Sequence, residues 1–353
     1  MVHMLPAARS VAAVLLVGNF LIICHELLGH YLAARLLRVP ASRVAIGFGP
    51  AVARAVDRRG TRWTLSLLPL GGYVSFQGEN EKSFTARATA VRAAIIAAGP
   101  AANLVVAVAV FAVMLATSGE PAVLPVASSI LPGSAAERAG FQPGDRILVM
   151  GDTPVALFED MRRSLNAGAG QTFRFQVERG GQVLELSARL DAKQDGGRTI
   201  GLLGIYSTAV TRVVLSPAAS IVRAAGKTWE TIHDTIVGIT LAITRGQGTE
   251  NFAGVVGIAQ LAGDAAGQGA ATFLALIAIL SANLALMNLL PIPVLDGGAL
   301  LFCLAEVVMR RPLPARVQAA ATGLGVAALA TMFMLITVHD LDGLGVLRWL
   351  TQL

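Results

Sequence analysis

Charge is scarce in this chain, and so are aromatic rings and cysteines. Of its 353 residues 14% are charged, 5% are aromatic and two are cysteine, whereas 54% are hydrophobic. So little charge over this length excludes an ordinary soluble globular protein. Cys24 and Cys303 both lie in apolar stretches, which excludes a disulfide framework and reads as two buried thiols. Acidic residues number 22 against 28 basic ones, a formal charge of +6. In an apolar chain this excess reads as basic cytoplasmic loops and not as affinity for nucleic acid. A small-residue cleavage site after the first apolar run is missing too, so that run reads as a retained membrane helix and not as a signal peptide.

Against this background one polar stretch stands out, Cys24-His25-Glu26-Leu27-Leu28-Gly29-His30. It interrupts an apolar run, Val11–Leu37, long enough to cross a bilayer. Ionisable groups at that depth are costly and mark a functional site. Two imidazoles and a carboxylate form a metal-binding chemistry: neutral histidines ligate zinc, and a nearby glutamate serves as general base toward zinc-bound water. The spacing is one residue longer than H-E-x-x-H. On an ideal α-helix His25 and His30 lie about 140° apart. A single π-bulge would absorb the extra leucine and bring both rings to one face, and Gly29 eases such a distortion.

Three more segments are long and apolar enough to span: Ala93–Ala116, roughly Ala265–Leu295, and Val317–Val338. Arg38, Arg43, Arg54, Arg58, Arg59, Arg62, Arg87 and Arg92 lie between the first two, and Arg310, Arg311 and Arg316 between the last two. The positive-inside rule makes both connections cytoplasmic and puts residues 118–264 outside. The first connection carries β-type residues at Arg62–Leu68 and Gly71–Phe76, a small sheet or re-entrant hairpin, with a turn at Gly47-Phe48-Gly49-Pro50 just before it.

Residues 118–207 read as a soluble domain. Val123–Ile130 is strand-like, and Thr172–Val177 and Val183–Leu190 alternate across Arg179-Gly180-Gly181, a hairpin pattern. Ala139-Gly140-Phe141-Gln142-Pro143-Gly144-Asp145-Arg146-Ile147 resembles the turn of a bacterial protease PDZ domain, a fold that binds extended peptides or chain ends by strand addition. Residues 208–264 read as a helical linker, amphipathic over Ser216–Thr244. His233-Asp234 within it reads as part of a solvated polar face.

The third apolar segment ends in Asn288-Leu289-Leu290-Pro291-Ile292-Pro293-Val294-Leu295-Asp296-Gly297-Gly298. Two prolines break the helix at a depth where broken backbone must be buried in protein or line a wet cavity. Asp296 is a natural third zinc ligand, and two histidines with one carboxylate leave a fourth position for water. Asn288 could orient a substrate backbone or a developing oxyanion, or cap the broken helix. Gly99-Pro100-Ala101-Ala102-Asn103 reads as close helix packing through small residues.

Together, N-x-x-P-x-P-x-L-D-G after an intramembrane H-E motif resembles the site-2 protease family of intramembrane zinc metalloproteases. The single PDZ-like insert points to the bacterial regulator-of-sigma-E protease branch. Gly47-Phe48-Gly49-Pro50, Pro69-Leu70-Gly71-Gly72-Tyr73-Val74, Gly99–Asn103 and Gly254-Val255-Val256-Gly257-Ile258-Ala259 extend the likeness along most of the chain. The resemblance implies a multi-pass α-helical membrane protein of the bacterial inner membrane, with its active site in the cytoplasmic half. The helix pair 1–117 carries the zinc motif, and 265–353 carries the aspartate. It implies Zn2+ held by His25, His30 and Asp296, with Glu26 as general base. It also implies an added substrate strand along Gly71, Gly72, Tyr73 and Val74, with Asn288 touching substrate. Substrates would be single-span membrane proteins, anti-sigma factors or remnant signal peptides, already trimmed outside the membrane. The PDZ-like domain would contact the trimmed ends, and lipid would surround the helices. The alternative is an inactive relative that binds membrane proteins through that domain.

Overall fold

The computed structural model describes residues 4–76, 83–195, 198–246 and 254–343. The chain divides into two compact units, one formed by residues 1–114 with 216–353 and the other by Leu115–Leu215.

In the first unit α1 (Met4–Ile23) runs into a π-helical segment, Cys24–Tyr31, and on into α2 (Leu32–Leu36). Next come β1 (Ala41–Val56), β2 (Arg62–Phe76) and α3 (Thr89–Thr117). Four stretches among the described residues are long and apolar enough to cross a membrane: Ser10–Leu36, Thr89–Thr117, Ala270–Asn288 and Ala315–Val338. Leu16, Val105 and Leu324 on three of them are more than half exposed, as lipid-facing residues of a small bundle would be. Val17, Leu21 and Cys24 pack with Val106 and Ile277 to form its apolar core.

The β1–β2 sheet is more folded than a hairpin. Residues 43–46 are flanked on both sides: Val44 faces Val74 and Trp63, and Ala45 faces Tyr73 and Thr64. Arg54 in turn faces Thr64, so the segments lie in the order 51–56, 62–66, 43–46, 72–76. Segment 72–76 is therefore an edge. Trp63 packs edge-on against Tyr31 at 5.3 Å, which sets the sheet on the π-helical segment.

The described residues of the second unit form ten short strands and two helices: β3 (Glu120–Val123), β4 (Ser129–Ile130), α4 (Ala135–Arg138), β5 (Arg146–Met150), β6 (Thr153–Pro154), α5 (Phe158–Ala167), β7 (Thr172–Arg179), β8 (Gln182–Arg189), β9 (Asp191–Asp195), β10 (Arg198–Leu202), β11 (Ile205–Tyr206) and β12 (Val210–Val213). The expected β7–β8 hairpin is present and forms a sheet in the order β6-β5-β7-β8. The expected strand Val123–Ile130 is instead two strands separated by a turn. Residues 210–213, expected in the linker, pair with 120–123 and close the unit at its two ends. Ile147, Met161, Phe175, Val177 and Leu203 form its buried core.

After the insert come α6 (Pro217–Arg245), α7 (Val255–Gln268), α8 (Ala270–Asn288), α9 (Asp296–Met309) and α10 (Ala315–Gly343). The third span was expected over 265–295. It begins at Ala270 because Gly269, at φ 113°, breaks the helix in a conformation open to glycine but not to its apolar neighbours. Hydropathy continues across that break, so it hides the boundary. α7 packs against α1, and α6 against α8, where Thr235 Oγ1 donates to Asn283 Oδ1 at 2.9 Å. His233 and Asp234 stay exposed on α6, as a solvated face requires.

Among the described residues of the second unit, one charged side chain is fully buried. Asp145 is fully buried and accepts from Arg179 Nε and Nη2, both at 2.7 Å, and from the Gln142 N–H at 2.9 Å. Burial pushes its carboxyl up, but the Arg179 guanidinium and the Gln142 amide outweigh that and hold it below the usual range. The depressed value means that the pair contributes stability above the unfolded carboxyl's pKa and loses it as pH falls through the folded one. Asp145→Asn should cost the unit about 2 kcal/mol. It should also flatten the loss of stability in acid, below about pH 4. Hydrogen exchange of β5 and β7 amides in the full chain, across pH, reads both effects.

Candidate metal centre

The π-helical segment solves the spacing problem. Leu32 N–H donates to Leu27 C=O, five residues back, which widens the turn by the one residue that H-E-x-x-x-H has in excess. His25 and His30 then share a face: their Nε2 atoms are 3.1 Å apart and their rings meet edge to face at 4.8 Å. Leu28 turns outward and is 55% exposed, so the extra side chain occupies no space inside.

Asp296 arrives from the other end of the sequence. The prolines end α8 at Asn288, and the turns 289–295 are tied by Ile292 N–H to Leu290 C=O and Leu295 N–H to Ile292 C=O. Gly297 and Gly298 sit against the carbonyls of Leu289, Leu290 and Ile292 with no room for a side chain. α9 therefore starts at a fixed place, with the Asp296 carboxylate in its first turn, where the helix dipole favours negative charge. Asp296 Oδ2 lies 3.0 Å from His25 Nε2, and Oδ1 lies 3.5 Å from His30 Nε2. Arg92 of α3 donates to Glu306 of α9, a half-buried ion pair linking the two helices.

His25 Nε2 lies 3.1 Å from His30 Nε2 and 3.0 Å from one Asp296 oxygen, and His30 Nε2 lies 3.5 Å from the other, all near the ~3.3 Å spacing of ligands held at about 2.0–2.1 Å around a tetrahedral metal. Asp296 Oδ2 is buried and, although His25 Nε2 lies 3.0 Å away, makes no well-aligned hydrogen bond, as suits a metal ligand more than a hydrogen-bond acceptor. The donor set of two imidazoles and a carboxylate suits a divalent metal with an open fourth position. Glu26 stands in the same cluster: it, His25 and His30 offer ligand atoms within 4.8 Å of one another. Its Oε2 accepts the Val74 N–H at 2.9 Å, so the edge segment 72–76 touches the site through Val74.

The other expected residues lie nearby in the sheet or apart from it. Tyr73 stacks on Phe48 at 6.3 Å and its hydroxyl accepts from Arg43 Nη1 at 3.3 Å. Gly71 lies under the Phe48 ring, and Gly72 sits against the Ala45 carbonyl. Asn288 closes α8, half-buried, with no side-chain hydrogen bond among the described residues. Cys24 packs into the apolar core, consistent with an inert thiol.

What the sequence reading missed is α3. Its small-residue motif was expected to serve packing alone, and Gly29 and Gly99 do meet with no space for a Cβ on either. Yet the same helix backs both imidazoles. His30 Nδ1 lies 2.9 Å from the Ile95 carbonyl, and His25 Nδ1 lies 3.1 Å from the Asn103 side chain, which is fully buried. The signal was available: a lone asparagine inside a charge-free apolar run is costly unless it has a polar partner.

Two expectations follow for metal content, read by elemental analysis of detergent-purified protein. In Gly99→Ala the new methyl would lie 2.5 Å from His30 ring atoms and 2.7 Å from His25 Cε1, and metal occupancy should fall at least about tenfold. Deleting Leu28 should let the segment relax to a regular α-helix with its flanks in phase and leave about one metal per chain.

The family model described as peptidase family M50 matches residues 12–332. The metalloprotease MmpA of Caulobacter vibrioides is 33% identical, with 96% of each chain covered. A protein of Agrobacterium fabrum, provisionally named a zinc metalloprotease, is also 33% identical, over 94% of this chain and 95% of its own. Among solved structures, the PDZ domain of an SdrC-like protein from Listeria innocua covers 26% of this chain and 99% of its own, at 19% identity and a TM-score of 0.22. With a model spanning nearly its full length and relatives matched end to end, the chain belongs to peptidase family M50.

Proposed function

We propose that the protein is an intramembrane zinc endopeptidase that cuts the membrane segments of single-span proteins. The observation that carries this reading is the convergence of His25, His30 and Asp296 at 3.0–3.5 Å in spite of the inserted leucine. The reading as an inactive relative rested on that leucine, and the π-helical segment removes its support.

His25, His30 and Asp296 would hold zinc. When bound, the metal supplies a Lewis acid that activates water and polarises a peptide carbonyl. Glu26 is the general base. Its Oε2 is engaged by the Val74 N–H, which leaves Oε1 to take the proton and pass it to the departing amine. A substrate helix must unwind before its backbone can be cut. Segment 72–76, paired on one side only with 43–46, offers an edge on which an extended stretch can add as a strand, with Gly71, Gly72, Tyr73 and Val74 nearest the site. Asn288 is assigned a substrate contact.

The arginines of 38–92 and 310–316 support a topology with those connections in the cytoplasm, the zinc ligands in the cytoplasmic half of a bacterial inner membrane and the PDZ-like unit outside. Anti-sigma factors and remnant signal peptides trimmed outside the membrane fit a site reached through the bilayer, with the PDZ-like unit meeting the trimmed ends. Glu26→Gln should keep about one zinc per chain and slow cleavage of a model single-span substrate about 10³-fold in proteoliposomes. Cleavage at the parent rate would remove Glu26 from the mechanism.

A further inference from the structure

Asn103 lies one helical turn beyond Gly99 on α3, and no atom of its side chain is exposed. Its backbone carbonyl accepts from Ser281 Oγ of α8 at 2.8 Å, itself fully buried, so the residue is held from both sides. Its amide lies 3.1 Å from His25 Nδ1, with Nδ2 turned toward the ring and Oδ1 buried without a partner. The two imidazoles are thus backed by different groups. A carbonyl can only accept, so Ile95 fixes His30 with its proton on Nδ1 and its Nε2 lone pair directed at Asp296. A side-chain amide can do either. With Nδ2 toward the ring, it suits a His25 that carries its proton on Nε2, the atom 3.0 Å from Asp296 Oδ2. With the amide turned by 180°, no heavy atom moves appreciably, and Oδ1 accepts a proton on Nδ1. Only that second tautomer leaves Nε2 free as a ligand.

We propose that Asn103 is a positioning residue that fixes the His25 ring in the π-helical segment and, by turning its amide oxygen to Nδ1, selects the tautomer that binds metal. The inference rests on the zinc reading above. It gives α3 a second role beside packing and accounts for a polar side chain inside the apolar run 93–116.

The test is zinc affinity of the full-length protein in detergent, by competition with a chromophoric chelator, together with the visible spectrum of the cobalt-substituted protein. Asn103→Leu keeps the branching with a somewhat larger side chain and removes both donor and acceptor, and Asn103→Asp keeps an acceptor only. Asn103→Ala is read beside them as the least intrusive deletion. Asn103→Leu and Asn103→Ala should weaken zinc binding by about 10- to 100-fold and change the cobalt spectrum, with Asn103→Asp within a few-fold of the parent. A residue that merely packs would give the reverse order, because leucine fits an apolar helix crossing and a buried carboxylate does not. Asn103→Asp weaker than Asn103→Leu, or parental affinity in Asn103→Ala, would overturn the proposal while leaving the zinc site standing. A parent that binds no zinc would overturn the zinc reading and this inference with it.

Discussion

The site depends on how closely two backbones approach. Gly29 in the π-helical segment and Gly99 in α3 face each other without room for one Cβ. At that separation the Ile95 carbonyl and the Asn103 amide reach the Nδ1 atoms of the two histidines. A methyl on either glycine would wedge the helices apart and stretch both hydrogen bonds. Inside a bilayer no water stands ready to replace them, so the imidazoles would lose orientation and not merely a contact. Arg92 and Glu306 extend the same logic to α9, tying the helix that brings Asp296 to the helix that holds the histidines.

The π-helical turn follows from the same cost. A regular helix would send one imidazole away from the other and bury a polar ring without partners, an expense of several kcal/mol. One wide turn has poorer backbone hydrogen-bond geometry, but it lets His25, His30 and Asp296 meet. The extra leucine is expelled to the exterior side, where an apolar side chain belongs in a membrane helix. The insertion is thus absorbed at the place where the chain has the most to gain from absorbing it.

The sheet edge meets the candidate site through one hydrogen bond. The Val74 N–H is taken by Glu26, so the carboxylate beside the metal ligands is fixed by the strand edge rather than by another side chain. Trp63 against Tyr31 keeps that edge seated on the helix. The inserted unit is built separately around its own apolar core and its own buried ion pair, Asp145 with Arg179, and its first and last strands pair to close it.

The sequence by itself determined apolar spans, read at 11–37, 93–116 and 317–338 and found within a few residues of those bounds, the inserted domain, and the candidate donors His25, Glu26, His30 and Asp296. These are legible because bilayer thickness sets helix length and because an ionisable group in an apolar run has few reasons to be there. It also posed the spacing of the histidines as a question that a π-bulge could answer. Tertiary structure decided the answer, since only Asp296, Ile95 and Asn103, distant along the chain, make the wider turn worth adopting. It also decided the break at Gly269, which hydropathy cannot register, and the second strand partner of 43–46. The partners of the imidazoles stayed hidden for a simple reason. A backbone carbonyl has no sequence signature, and one asparagine among small residues looks like packing until the opposite helix is in place.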